Sequence, residues 1–145
     1  MSGAEPKVCF IDTNVWLYAF IRAQNQLKSD TAKTLIQSNR VVLSSQVVNE
    51  VCVNLIKKTG FDEVRIRNVI QSFYSKYSVA IITQMTLIQA SQLRDRHNFS
   101  YWDSLIVASA LAEGASIVYS EDMHSGLTVE NQLKIINPFA DLERV

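Results

Sequence analysis

Val8-Cys9-Phe10-Ile11-Asp12-Thr13-Asn14 is a run of four apolar residues cut off by an acid and two polar side chains. A run this short and this uniformly apolar reads as a strand buried on both faces, the pattern of a parallel sheet rather than a half-exposed antiparallel one. Working outward, similar runs recur at Val41-Val42-Leu43, Val79-Ala80-Ile81-Ile82, Ile117-Val118-Tyr119 and Lys134-Ile135-Ile136. Longer segments of helical rhythm lie between them. Ile66, Val69, Ile70, Phe73, Tyr74 and Tyr77 keep an i, i+3, i+4 spacing, and Val47, Val48, Val51, Cys52 and Leu55 do the same one helix earlier. Leu105 to Ala112 is apolar nearly all round, as a helix enclosed between layers would be. Residues 26–38 and 84–97 complete the set with weaker periodicity. Short apolar strands alternating with helices predict an α/β fold around a central parallel sheet.

Composition narrows the function classes. The chain has 145 residues, 48% hydrophobic and 19% charged, which suits a single domain over 1–145 with one core. Fourteen basic residues balance fourteen acidic ones, so no global charge draws the protein to phosphate backbones or anionic lipid. The four glycines stand far apart, and neither G-x-G-x-x-G nor the P-loop pattern can be written. Cys9 and Cys52 sit among apolar neighbours and read as small hydrophobes of a reducing compartment. His97 and His124 have no partner at zinc-ligand spacing. Met1-Ser2-Gly3-Ala4-Glu5-Pro6 lacks the basic-then-apolar pattern of a secretory signal. No apolar stretch approaches the roughly 18 residues that span a bilayer. The expected location is the cytoplasm.

In an open parallel sheet, sites form at the carboxyl ends of strands, and two of those ends are acidic. Asp12 directly follows the first strand, and Asp122 follows the fourth in Val118-Tyr119-Ser120-Glu121-Asp122. Asp103 opens the enclosed helix, and Glu50 lies within the helix after the second strand. Several carboxylates converging from remote segments are what a hard divalent cation of the Mg²⁺ type needs. Each acid also has an ordinary structural explanation. Asp12 and Asp103 fit helix N-caps or first-turn acids. At about 100° per residue from Val47, the apolar face centres at about 70° and Glu50 falls at about 300°. That places Glu50 on the polar flank with Asn54 and Lys57, where solvation is the default. Glu121-Asp122 also reads as a polar turn.

The segments FIDTNVWLYAF (10–20), VVNEV (47–51), YWDSLIVASALAEG (101–114) and VYSEDM (118–123) resemble, in order and spacing, the four acidic motifs of the PIN-domain nucleases. The resemblance extends over essentially the whole chain and is greatest to VapC-type toxins, the ribonucleases of toxin–antitoxin modules. It implies a three-layer α/β/α fold with a parallel sheet of order 3-2-1-4-5. It also implies hydrolysis of RNA, with Asp12, Glu50, Asp103 and Asp122 as the acidic quartet. Asp12, Asp103 and Asp122 would hold one or two Mg²⁺ or Mn²⁺ ions, while Glu50 would orient or deprotonate the attacking water. Thr13 and Asn14 match polar positions that brace the site through the first Asp loop, and Ser120 matches a small polar residue near the fourth acid. Glu121 and Asp122 compete for that fourth place, and the family spacing favours Asp122. The same likeness implies a homodimer and an antitoxin partner covering the cleft.

Charge is uneven along the chain. Residues 54–100 carry a local excess of four positive charges, and residues 101–145 an excess of five negative ones. The basic middle is therefore a candidate rim for RNA phosphates, and Tyr101 and Trp102 are candidate stacking surfaces. Two rival enzyme-like readings lack residues. A haloacid-dehalogenase-type phosphatase needs a second Asp where Asn14 stands, and a receiver-like domain needs a Lys where Ile135-Ile136-Asn137-Pro138 has none. A third alternative is a catalytically silent PIN-fold module that binds RNA or protein.

Overall fold

The computed structural model describes residues 7–143. Met1–Pro6, examined above for a signal pattern, and Arg144, included in the charge balance, lie outside the described residues. The chain runs β1 (Val8–Ile11), α1 (Thr13–Phe20), α2 (Gln26–Ser38), β2 (Arg40–Ser44), α3 (Ser45–Thr59), α4 (Glu63–Lys76) and β3 (Ser78–Ala80). It continues through α5 (Gln84–Arg96), α6 (Tyr101–Ala112), β4 (Ile117–Tyr119), β5 (Thr128–Val129) and β6 (Leu133–Ile136). The sheet order is β3-β2-β1-β4-β6-β5. All neighbours are parallel except the β5–β6 pair. The expected order 3-2-1-4-5 holds for the five strands read from sequence, with β6 as the fifth, and β5 adds an antiparallel edge.

Direction of travel across the sheet sets the layers. The chain moves outward from β1 through β2 to β3, then returns across the sheet to β4 on the other side of β1. Right-handed crossovers therefore put α1–α4 on one face and α5–α6 on the other. Residues from Ser104 to Leu111 of α6 are all buried, because the helix is packed by both the sheet and α5. That accounts for its apolar circumference. On the opposite face Trp16 is anchored by its indole N–H, 3.0 Å from the Ile11 carbonyl. Its ring meets Phe73 edge-on at 4.9 Å, tying α1 to α4. Phe10, Ile11, Leu43, Val118 and Ile135 are fully buried strand residues of the same core.

Three local expectations change. The run Val79–Ile82 is strand only to Ala80. Among the described residues β3 is an edge strand paired with β2 alone, and Ile81, just past its end, is 75% exposed. Helix α1 and strand β5 add to the elements expected from sequence. Cys9 is buried as expected, whereas Cys52 is only half-buried, and both are free thiols. No described helix is long and apolar enough to cross a membrane.

Candidate active site

The carboxyl ends of β1 and β4 lie side by side, since Ile11 pairs with Tyr119. The Asp12 N–H, 3.0 Å from the Tyr119 carbonyl, extends this pairing one residue into the loop. Asp12 is then the N-cap of α1, its Oδ1 accepting from the Thr13 N–H at 2.8 Å. Asp103 stands in the first turn of α6, behind a Ser100 cap whose hydroxyl accepts the Asp103 N–H at 3.1 Å. The capping explanation and the site explanation thus describe the same residues: a helix start aims an acid at the end of the sheet.

A cleft of about 220 Å³ is lined by Asp12, Glu50, Asp103 and Asp122 together with Thr13, Asn14, Gln46, Asn54, Trp102 and Ile106. All four acids expected from sequence share it. Glu50 overturns the solvated default that its wheel position gave it. It is half-buried, with Oε2 accepting from the Thr13 hydroxyl at 2.6 Å and Oε1 from the Gln46 amide at 3.1 Å. The polar flank of α3 faces the cleft rather than bulk water. Gln46, Glu50 and Asn54 form an i, i+4, i+8 stripe, and Asn54 donates to the Glu50 carbonyl at 2.8 Å. That spacing was the available sequence signal for Gln46, which the sequence reading does not single out.

Each bracing residue touches an acid, although not always the expected one. Ser120 is fully buried, and its hydroxyl donates to Asp12 Oδ2 at 2.9 Å while accepting the Met123 N–H at 3.2 Å. The Thr13 and Asn14 side chains were expected to brace the Asp12 loop. They reach instead to Glu50 and to Asp122, which accepts from the Asn14 amide. The structure also separates Glu121 from Asp122. Glu121 is held outside the cleft by Lys28 at 2.5 Å and by the Tyr18 hydroxyl at 2.9 Å, whereas Asp122 lines it.

The carboxyls influence one another. Burial raises the Asp12 carboxyl from the ordinary 3.8 to about 6, and the charges of Glu50 and Asp103 add to the rise. The Thr13 N–H and Ser120 hydroxyl oppose it. Asp103 is also raised, first by burial and then by Asp122 and Glu50. Ser120→Ala removes a donor to Asp12 and leaves the Met123 N–H without its acceptor. It is expected to cost about 1–2 kcal/mol, read in thermal unfolding as a midpoint several degrees lower.

The basic residues of 54–100 are not part of the walls of this cleft. No Lys or Arg is among its lining residues. Arg94 is tied to the Ser104 hydroxyl at 2.6 Å and lies over the Tyr101 ring, and Arg96 pairs with Glu130 at 2.6 Å.

The donor set is one of hard oxygen ligands. Among the described residues no three acidic, His or Cys side chains stand close enough to enclose an ion. Oxygen ligands of this kind are what a hard cation of the Mg²⁺ type takes, with water completing its shell.

The model of the PIN domain family matches residues 9–124, and no curated protein matches the chain in sequence. Among solved structures, one similar fold is VapC20 of Mycobacterium tuberculosis, described as a sarcin-ricin loop cleaving toxin. It is 24% identical with a TM-score of 0.65, covering 79% of this chain and 89% of that one. A toxin–antitoxin complex from Klebsiella pneumoniae is 16% identical with a TM-score of 0.67, covering 90% and 97%. VapBC2 of Rickettsia felis, bound to a DNA fragment from its promoter, is 18% identical with a TM-score of 0.62, covering 90% and 99%. At these identities the likeness is one of fold.

Proposed function

The chain belongs to the PIN-domain family, and from there we propose that it is a divalent-cation-dependent ribonuclease, the toxin of a toxin–antitoxin pair. The observation that carries this reading is the convergence of Asp12, Glu50, Asp103 and Asp122 from four remote segments into one cleft. The toxin reading draws on the fold shared with a sarcin-ricin loop cleaving toxin and with a toxin–antitoxin complex. On this reading the partners are an RNA substrate, a cognate antitoxin and a second copy of the chain, and the free thiols fit a cytoplasmic location.

Asp12, Asp103 and Asp122 would hold Mg²⁺ or Mn²⁺. Such an ion supplies a water of lowered pKa and positive charge against the developing charge of the phosphodiester. Ser120 and the Thr13 N–H each donate to one oxygen of Asp12, which holds its carboxylate in one orientation. Glu50, held by Thr13 and Gln46, would orient the attacking water and accept its proton. Asn14 restrains Asp122 at the exposed mouth.

A second reading, a catalytically silent module binding RNA or protein, draws on the spacing of the carboxylates, no three of which close on one point among the described residues. One assay separates the two. Purified protein is incubated with labelled structured and single-stranded RNAs in Mg²⁺ or Mn²⁺ against chelator, with Asp12→Asn controlling for contaminating nuclease. Cleavage that needs both the cation and Asp12 is expected. RNA left intact with no cation-dependent rise in the thermal midpoint leaves the silent module standing.

A further inference from the structure

A second hollow, of about 440 Å³, adjoins the acid cleft and is lined by Ser45, Gln46, Asn49, Glu50, Ile82 and Trp102. Gln46, Glu50 and Trp102 belong to both walls, so the two hollows are neighbours with a shared wall. We propose that this second hollow takes an unpaired base of the RNA, adjacent to the phosphate in the acid cleft, with Trp102 as its stacking surface. The proposal rests on the ribonuclease reading and specifies how that enzyme holds its substrate.

Three observations carry it. Trp102 is 62% exposed and is the second residue of α6, right beside Asp103. An indole left in water there offers a flat apolar face next to the site acids. Ile82, carried past the end of β3, supplies the apolar wall with it.

Gln46 is 92% buried by its 8% exposure, and its Oε1 has no hydrogen-bond donor. Its Nε2 is already engaged by Glu50 and by the Trp102 carbonyl at 3.5 Å. An unmet buried acceptor costs stability, and the amino groups of adenine, cytosine and guanine are donors of the kind that would meet it.

The third observation is electrostatic. Net charge is zero, and neither hollow is lined by Lys or Arg. The walls of the two hollows therefore supply no ion pair to phosphate, the usual source of affinity for nucleic acid. Stacking on an aromatic side chain is the other general source for single strands, and the hollow provides it. The base must be out of a helix to enter, so the substrate is an unpaired loop or single strand.

The test uses the full chain. In the Asp12→Asn variant, iodide quenching reports Trp102, because Trp16 is only 3% exposed. A single-stranded hexaribonucleotide is expected to shield Trp102 several-fold, and the same backbone without bases is not. In the active protein, Trp102→Ala is expected to raise KM for short single strands about tenfold or more. Its kcat is expected to stay within about twofold, with Trp102→Phe recovering most of the loss. Unchanged KM and cut positions in Trp102→Ala, with cation-dependent cleavage intact, overturn the base site and leave the ribonuclease reading standing. Shielding that follows protein concentration rather than RNA, with Trp102→Ala dissociating a dimer in sedimentation, overturns it in favour of a second copy seated there. An active-site failure is distinct: no cation-dependent cleavage of any RNA by the unmodified chain removes the reading and the base site together.

Discussion

Asp12→Asn is expected to lower the RNA cleavage rate by on the order of a thousandfold or more while leaving the fold intact. Asn is as good an N-cap as Asp, so the bond to the Thr13 N–H survives, and the Ser120 hydroxyl can turn to accept from the new amide. The stability change has a definite sign. In the folded chain Asp12 holds its proton up to about pH 6, against 3.8 ordinarily. Between those values the folded state binds more protons than the unfolded one, so wild-type stability falls as pH rises through that window. Asn has nothing to titrate. The midpoint difference, variant minus wild type, should therefore be near zero at pH 4 and reach its full positive value above pH 6. The shift bounds the gain at about 3 kcal/mol, and partial solvation of the carboxyl reduces it to roughly 1–2 kcal/mol. Scanning calorimetry of both proteins from pH 4 to 7.5 checks this. A variant midpoint more than about 5 °C below wild type at pH 7 would show the Asp12 charge acting as an anchor of the fold instead.

The neighbours Glu121 and Asp122 should separate cleanly in a pair of measurements. Lys28→Met leaves the partly buried Glu121 carboxylate with the Tyr18 hydroxyl in place of an ammonium. It also removes a cation lying 5.2 Å from the Tyr18 ring centre and 5.5 Å from that of Phe139. Stranding a partly buried charge is expected to cost roughly 2 kcal/mol, with the cleavage rate at 25 °C within about twofold of wild type. Asp122→Asn should do the reverse. Its side chain is exposed, so the midpoint should hold within about 2 °C, while cleavage falls about a hundredfold as a charge leaves the cleft. Urea unfolding and single-turnover cleavage on the same preparations provide the comparison. An active Asp122→Asn would move the fourth acidic role to another residue.

The parallel sheet was readable because strands buried on both faces have no polar alternation to hide in. β1, β2, β4 and β6 all announce themselves as apolar runs. Helix α1 was not, because Val15 to Phe20 continues the apolar character of β1 across a three-residue break and has no periodicity of its own. β5 was hidden for a different reason. It has two residues and turns back through Glu130 and Asn131, both at φ 54°, without the Asn-Gly or Asp-Gly pair that marks such a turn in sequence. The acids were readable as positions, but not as partners. Whether Glu121 or Asp122 faces the cleft depends on Lys28 and Asn14, 93 and 108 residues away. Periodicity gave the side of α3 on which Glu50 lies, and only the neighbouring α6 makes that side a cleft.

The pairing of β1 with β4 also sets when the acid cluster can exist during synthesis. Asp12 is made early, but the backbone contact that positions it is with Tyr119, and its Oδ2 is held by Ser120. At roughly 5–20 residues per second on a ribosome, the 110 residues from Asp12 to Asp122 take roughly 5–20 s. Until β4 is made, β2 is the one sheet neighbour of β1 that the nascent chain can supply, and the site stays incomplete. A chain released early, by a stop codon or ribosome stalling anywhere before β4, contains at most three of the four carboxylates and no scaffold to converge them.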